Sequence, residues 1–294
     1  MMQVELAVWA REHQRRIEDV LTRSLTFGPA VPERLADAMR YATLDGGKRM
    51  RPLLAYAAGE LAEADPAVVD APAAAVEMIH AYSLAHDDLP CMDNDALRRG
   101  KPALHVAFGE AMALLAGDAL QAQAFAVLQS AQLRNAAGAC VMLAQAAGAI
   151  GMAGGQAIDL TSVGKTMPLS ELAKMHLAKT GALIHAAVRL GAHCGRSLED
   201  GEAAALDVFA QSAGLAFQVV DDILDVAGNA ATLGKTAGKD AAQNKPTYVA
   251  TLGLQRAKIY AETLREGAHE ALSPFGDEAR RLHELVDWII DRSH

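Results

Sequence analysis

The sequence predicts an all-α fold, and three observations carry that prediction. Hydrophobic residues make up 51% of the 294 residues and aromatics only 4%, so the core must be built from Ala, Leu, Val and Ile. Such residues, Ala above all, favour helices. Apolar positions recur at helical spacing between turn signals. No stretch sustains a period of two over β-branched residues, and no repeat or low-complexity tract is present. The length exceeds the usual domain, yet single domains of this size exist. One domain over residues 1–294, of ten or more helices, is expected.

Residues 3–26 alternate apolar and charged positions at helical spacing and stop before Phe27-Gly28-Pro29. Pro32 opens a second helix that runs to about Leu44, closed by the turn Asp45-Gly46-Gly47. Lys48-Arg49-Met50-Arg51-Pro52 follows. Three cations beside two glycines read either as a solvated helix start or as an anion clamp, with the glycines letting backbone amides approach the anion. Leu53 to Ala64 and Ala71 to Leu89 read as buried helices, as do Gly109 to Gln129 and Arg134 to Ile150. Gly154-Gly155 fits close helix packing without any chemistry. Ser170 is the expected N-cap of the next helix. Lys179-Thr180 on that helix would ordinarily face solvent. Leu198 to Ala227 forms a further helix, and Gly228 to Thr247 is rich in turn residues. Gly228 to Gly234 is one residue too long for a P-loop and follows a helix, so that motif is rejected. Two amphipathic helices finish the chain.

Two acidic stretches stand out from this apolar background. The first, His80 to Asp93, holds Asp87, Asp88 and Asp93, with Arg98, Arg99 and Lys101 just beyond. Carboxylates crowded into a cleft repel one another and lose hydration, so a chain that gathers them usually has a cation to place between them. Hard oxygen ligands suit Mg2+, and carboxylates, divalent metal and guanidinium forks together are how proteins hold a diphosphate. Helical spacing puts His80 and Ser83 on the face of Asp87 and points Tyr82 elsewhere. Pro90 disfavours helical geometry at Leu89, which should swing Asp93 back toward Asp87. The second stretch, Phe217 to Asp225, places Gln218, Asp221, Asp222 and Asp225 within an arc of about 100°. Two such faces meeting across a cavity would make a metal cage for a phosphate-bearing substrate.

The bulk properties narrow the alternatives. A net charge of −9 opposes a nucleic-acid surface. Cys91, Cys140 and Cys194 are odd in number and lack C-x-x-C spacing, which suits a reducing cytoplasm rather than a disulfide framework or zinc site. No signal peptide is evident. The most apolar run, Val141 to Ile158, falls short of the roughly 20 residues of a membrane span, so no stable membrane insertion is expected.

With these residues in hand, the chain resembles the trans-type isoprenyl diphosphate synthases, in particular the bacterial short-chain farnesyl diphosphate synthases. The resemblance runs in order through GGKRMRP (46–52), HAYSLAHDDLPCMDND (80–95), LRRGKP (97–102), AGDAL (116–120), GGQAIDL (154–160), KTGALI (179–184), FQVVDDILD (217–225) and LGKTAGKDAAQNKPTY (233–248). It implies an isoprenoid-synthase-type helical bundle around a deep central cavity, commonly a homodimer. The implied activity is a prenyl transfer from dimethylallyl or geranyl diphosphate to isopentenyl diphosphate. By motif, Asp87, Asp88 and Asp93, with Asp221, Asp222 and Asp225 opposite, would bind two or three Mg2+ ions that grip the allylic diphosphate. Arg98, Lys179 and Lys235 would share in catalysis at the allylic substrate, with Thr180 and Gln218 nearby. Gly47, Lys48, Arg51, His80 and Arg99 would hold isopentenyl diphosphate, and Lys245 would close over the site. Tyr82 and Ser83, five and four residues before the first Asp, would form the cavity floor and stop the product at fifteen carbons. Geranyl or geranylgeranyl diphosphate is the alternative product. A His-Asp phosphohydrolase built on His80, His86 and Asp87 is a remoter reading, as are a terpene cyclase and a silent partner subunit.

Overall fold

A computed structural model of the chain describes residues 2–44, 46–130, 133–227 and 245–292. The helices in order are α1 (Met2–Ser24), α2 (Glu33–Thr43), α3 (Met50–Leu61), α4 (Pro66–Asp87), α5 (Leu104–Phe108), α6 (Glu110–Ser130), α7 (Ala136–Ala147), α8 (Met152–Ser162) and α9 (Leu169–His176). A π-turn over Leu177–Gly181 leads into α10 (Ala182–Ala192) and α11 (Asp200–Ala227). The chain ends with α12 (Tyr248–Leu252), α13 (Leu254–Ala271), a 3-10 segment (Ser273–Ala279) and α14 (Arg280–Asp291). The all-α expectation holds. The only sheet among the described residues is a two-residue hairpin, Leu97–Arg98 against Lys101–Pro102, too short to leave a period in the sequence.

Helix α4 is the axis of the bundle, packed on α1, α2, α3, α6 and α10. It starts at Pro66, earlier than the expected Ala71, because Asp65 caps it by accepting from the Ala67 amide at 2.8 Å and Pro66 suits the first turn. Pro72 near its start deprives only the Val68 carbonyl of a donor, so the helix survives. Its main core partners are Ala and Leu from α3, α6 and α10, many fully buried. A smaller cluster joins α9, α11, α12 and α13 around Val219, Val220 and Tyr248. Ser170 does not cap α9: the cap position is Pro168, with no side-chain hydrogen bond, since Leu169 is already helical.

Alanine-rich helices have a second consequence. Glu110–Ser130, Ala136–Ser162 and Asp200–Val226 are each long and apolar enough to cross a membrane by length and composition. Counting the apolar run at Val141 to Ile158 alone missed this, because single polar residues do not offset so much Ala and Leu.

Candidate active site

The end of α4 behaves as Pro90 demands. The helix stops at Asp87, Asn94 takes a left-handed φ of 51°, and the chain folds back. The Asp93 amide then donates to the Asp87 carbonyl at 2.8 Å, which returns Asp93 to the first acid. Asp87 and Asp221 both line one cavity of about 610 Å3. The lining also includes Met92, Leu97, Met152, Ala157, Leu160 and Phe217, so the charged groups share the chamber with apolar side chains.

Asp88, Asp93 and Asp221 each meet a cation. Arg98 pairs with Asp88, its Nε lying 3.2 Å from both carboxylate oxygens. Lys245 meets Asp93 at 2.9 Å and Arg292 meets Asp221 at 2.9 Å. Asp222 is buried and accepts from Gln218 Nε2 at 2.9 Å and from the Tyr248 amide at 2.7 Å, so its orientation is fixed. Thr180 reaches Gln218 at 3.3 Å. Asp225 is buried on the same helix. Burial pushes the Asp87 carboxyl up to about 6, with Lys179 opposing and Asp93 adding to the rise. Burial also raises Asp88, against the pull of Arg98. A buried, reluctant carboxylate facing a chamber is a receptor for a cation.

These donors fit Mg2+ in one particular way. Among the described residues no three His, Cys, Asp or Glu side chains converge on one point. Mg2+ rarely needs such a cage: it binds through one or two carboxylates plus water and substrate phosphate. The acids here would hold ions only together with an anion in the chamber.

Cations share the chamber with them. Arg51, His80 and Arg99 line the cavity, and Lys48 lies close enough to feel both Arg292 and Asp221. Burial, then the charges of Arg51, Arg99, Arg98 and Arg49, lower the His80 pKa, so its ring is neutral. Burial likewise lowers Arg51, Arg99 and Lys48. Cations destabilised this way gain most from an incoming anion. The Arg98-Arg99-Gly100-Lys101 turn has positive φ at both central residues, 53° and 76°, the primed hairpin geometry. It aims Arg98 and Arg99 inward from one loop. Gly46 and Gly47 make room for this: a Cβ on Gly47 would lie 2.8 Å from the Arg99 guanidinium. The glycines thus accommodate a side chain, and the expected backbone approach to the anion is not what they visibly serve. Arg49 belongs to the core instead of the clamp. Its left-handed backbone turns the guanidinium onto Glu77, Glu18 and the Thr43 carbonyl, all within 2.7 Å.

Lys179 and Thr180 do not face solvent. The π-turn between α9 and α10 rotates them into the cavity, a frequent device at functional sites. Gly155 permits it, since a Cβ there would sit 2.2 Å from the Lys179 amide nitrogen. Buried Asp159 holds the Lys179 ammonium at 2.5 Å. Neither Asp159 nor Arg292 was singled out from the sequence. Asp159 lies inside the GGQAIDL match, whereas a lone arginine after the last helix carries no signal. Arg292 also donates to the Phe217 carbonyl at 2.6 Å and stacks on that ring at 3.9 Å.

Tyr82 corrects the helical arithmetic. It lines the cavity together with Ser83, packed edge-on against His86 at 5.7 Å. Helix α4 is buried on nearly every side, so its cavity-lining residues, His80, Tyr82, Ser83, Leu84, His86 and Asp87, are not confined to one face. His86 contacts the Leu114 carbonyl at 3.0 Å and presses on Gly117 of α6, which commits it to packing and removes the basis for a His-Asp metal centre. Lys235 lies outside the described residues.

Comparison with known proteins adds a separate line. The family model described as polyprenyl synthetase matches residues 32–274. The farnesyl diphosphate synthase of Escherichia coli is 47% identical over 287 residues, covering 95% of this chain and 96% of that protein. An FPP/GFPP synthase from Zymomonas mobilis aligns with a TM-score of 0.87 at 38% identity, over 99% of this chain and 100% of that one. A geranyltransferase from Helicobacter pylori, complexed with magnesium and isoprenyl diphosphate, aligns with a TM-score of 0.85 at 32% identity, over 97% and 96% of the two chains.

Proposed function

The chain belongs to the polyprenyl synthetase family and is a prenyltransferase of farnesyl diphosphate synthase type, and we propose the following assignment of its site. Isopentenyl diphosphate condenses with dimethylallyl or geranyl diphosphate, giving chiefly (2E,6E)-farnesyl diphosphate. The observation that carries this reading is the chamber itself: Asp87 and Asp221 share its lining with Arg51, His80 and Arg99 and with the apolar side chains of Met92, Leu97, Met152, Leu160 and Phe217. One diphosphate needs metal and the other needs only cations, which separates a two-substrate condensation from a cyclisation.

Mg2+, when held by Asp87, Asp88, Asp93, Asp221, Asp222 and Asp225, supplies charge neutralisation for the departing diphosphate. Arg98, Lys179 and Lys245 are positioned to move from their carboxylates to that diphosphate as it gains charge. Neutral His80 donates a hydrogen bond to the second diphosphate, with Lys48, Arg51 and Arg99 around it. The allylic C–O bond breaks, the double bond of isopentenyl diphosphate attacks the carbocation, and the released diphosphate takes the proton from the adjacent carbon. Apolar walls keep water from the cation. Tyr82 and Ser83 would end the chamber.

We assign the whole chain to one domain, placed in the cytoplasm without stable membrane insertion. A second copy of the chain would cover Leu114 and Leu115 of α6 and Val141 of α7, each about half exposed or more. The test is incubation of purified protein with labelled isopentenyl diphosphate and either allylic partner, followed by product sizing. A fifteen-carbon diphosphate is the expected product. Release of inorganic phosphate without chain elongation would reject the assignment.

A further inference from the structure

A second cavity, where α7, α10 and α11 meet, is lined by groups that prenyl transfer does not use. It measures about 340 Å3, within the range of small-ligand pockets. Arg134, Arg189, His193 and Arg196 line it with Ser197, and no carboxylate is among its described lining residues. It is separate from the chamber. Ala203, near the start of α11, lines it, whereas Asp221 lines the chamber. From residue 203 to residue 221 that helix rises about 27 Å.

Guanidiniums that share a cavity repel one another, so the question is what offsets them. Glu202 takes both Nη atoms of Arg196, at 2.6 and 2.8 Å. Arg189 donates through Nη1 to the Ala203 carbonyl at 3.0 Å and stands 3.6 Å from Asp207, which His185 engages more closely at 2.6 Å. Glu63 and Glu278 reach Arg196 only at 3.9 Å and are largely exposed, so water screens them. Arg134 makes a 3.5 Å contact to the Ser197 hydroxyl, too long to satisfy a guanidinium. Each guanidinium carries five N–H donors, and these contacts leave most of those on Arg134 and Arg189 unspent. His193 Nε2 is buried without a hydrogen-bond partner among the described residues. Buried polar atoms are nearly always satisfied, so an orphan nitrogen beside three guanidiniums calls for a ligand.

We propose that this cavity binds a phosphate-type anion through Arg134, Arg189 and the His193 ring, with Arg196 adding charge and Ser197 a hydroxyl. Guanidinium forks match phosphate oxygens in pairs, which a point-charge cation does not. Glu202 and Asp207 hold Arg196 and Arg189 without lining the cavity, so an anion need not displace them. The anion could be free, as inorganic diphosphate, or the headgroup of a prenyl diphosphate whose chain lies on Met142 and Leu198, which also line the cavity. Unlike the acids of the chamber, this site holds its anion without metal.

The test uses the full-length protein in chelator. Calorimetric titration with inorganic diphosphate should show one more equivalent in the wild type than in the Arg134→Gln/Arg189→Gln double variant, a difference in which uptake by the chamber cancels. Arg134 is exposed, so Arg134→Gln alone should fold as the wild type does and weaken that equivalent at least about tenfold. The His193 ring signals in a nuclear magnetic resonance spectrum, identified by their loss in His193→Gln, should shift as the wild type is titrated and shift less at high salt. This readout leaves the arginines untouched. Geranyl diphosphate is the second probe: tighter binding than inorganic diphosphate supports the site with a prenyl headgroup as its ligand, and equal or weaker binding supports it with the free anion. Equal diphosphate uptake by wild type and double variant, or His193 signals that stay in place with both probes, would overturn the site.

Discussion

Replacing Asp87 by Asn separates two properties that the wild-type residue holds in opposition. Near neutral pH Asp87 is ionised in both the folded and the unfolded chain. Its folded-state pKa stands at about 6 against an ordinary 3.8, so ionisation is harder in the folded protein. That difference corresponds to about 3 kcal/mol. Water in the chamber and relaxation around the charge reduce the recoverable part to about 1–2 kcal/mol. Metal-free Asp87→Asn should therefore be more stable than wild type by that amount near pH 7, or about 2–3 °C in thermal midpoint. The sign follows from the raised pKa: the wild-type handicap is absent below the unfolded-state value and develops as pH rises through about 6. The stability gap should close as pH is lowered from about 7 to about 4. Prenyl transfer should meanwhile fall about 100-fold or more, as when one preorganised electrostatic contact is removed. Thermal and urea unfolding in chelator, beside a labelled-product assay with Mg2+, measure both. A metal-free variant no more stable than wild type would refute the burial reasoning, and near-normal turnover would refute the metal assignment.

Three other substitutions probe separate parts of the structure. Tyr82→Ala should open the chamber and lengthen the product by at least one five-carbon unit; an unchanged fifteen-carbon product on chromatography would show that the floor lies elsewhere. Gly155→Ala should force the Lys179 backbone aside and lower kcat/KM for the allylic substrate more than tenfold, with helicity retained by circular dichroism. Arg49→Met should cost about 3–5 kcal/mol in urea unfolding because Glu77 is left buried without its partner, and adding Glu77→Gln should restore part of the loss.

What was legible in the sequence, and what was not, follows from the range of the interactions. The helices could be read because Ala-rich periodicity and the Gly-Gly turn before Lys48 act locally, although the Asp65-Pro66 start of α4 was passed over. The return of Asp93 could be read too, because Pro90 constrains its own neighbour. The cavity-facing turn of Lys179 could not, since a π-turn leaves no mark in the periodicity and its permission comes from Gly155, more than twenty residues away. Tyr82 was misdirected because one-face arithmetic assumes a helix with a dry side and a wet side, and α4 has neither. Arg49, Arg51 and Lys48 look alike in a basic cluster, and only the left-handed backbone at Arg49 assigns it to the core. Arg292 had no pattern to belong to.

Binding of Mn2+ in place of Mg2+, followed by electron paramagnetic resonance with and without inorganic diphosphate, tests the central claim most directly. Two acidic helix ends that share ions with a diphosphate predict weak uptake alone, tight uptake with diphosphate, and loss of the tight phase in both Asp87→Ala and Asp221→Ala. Tight, diphosphate-dependent uptake that survives in either variant would contradict it.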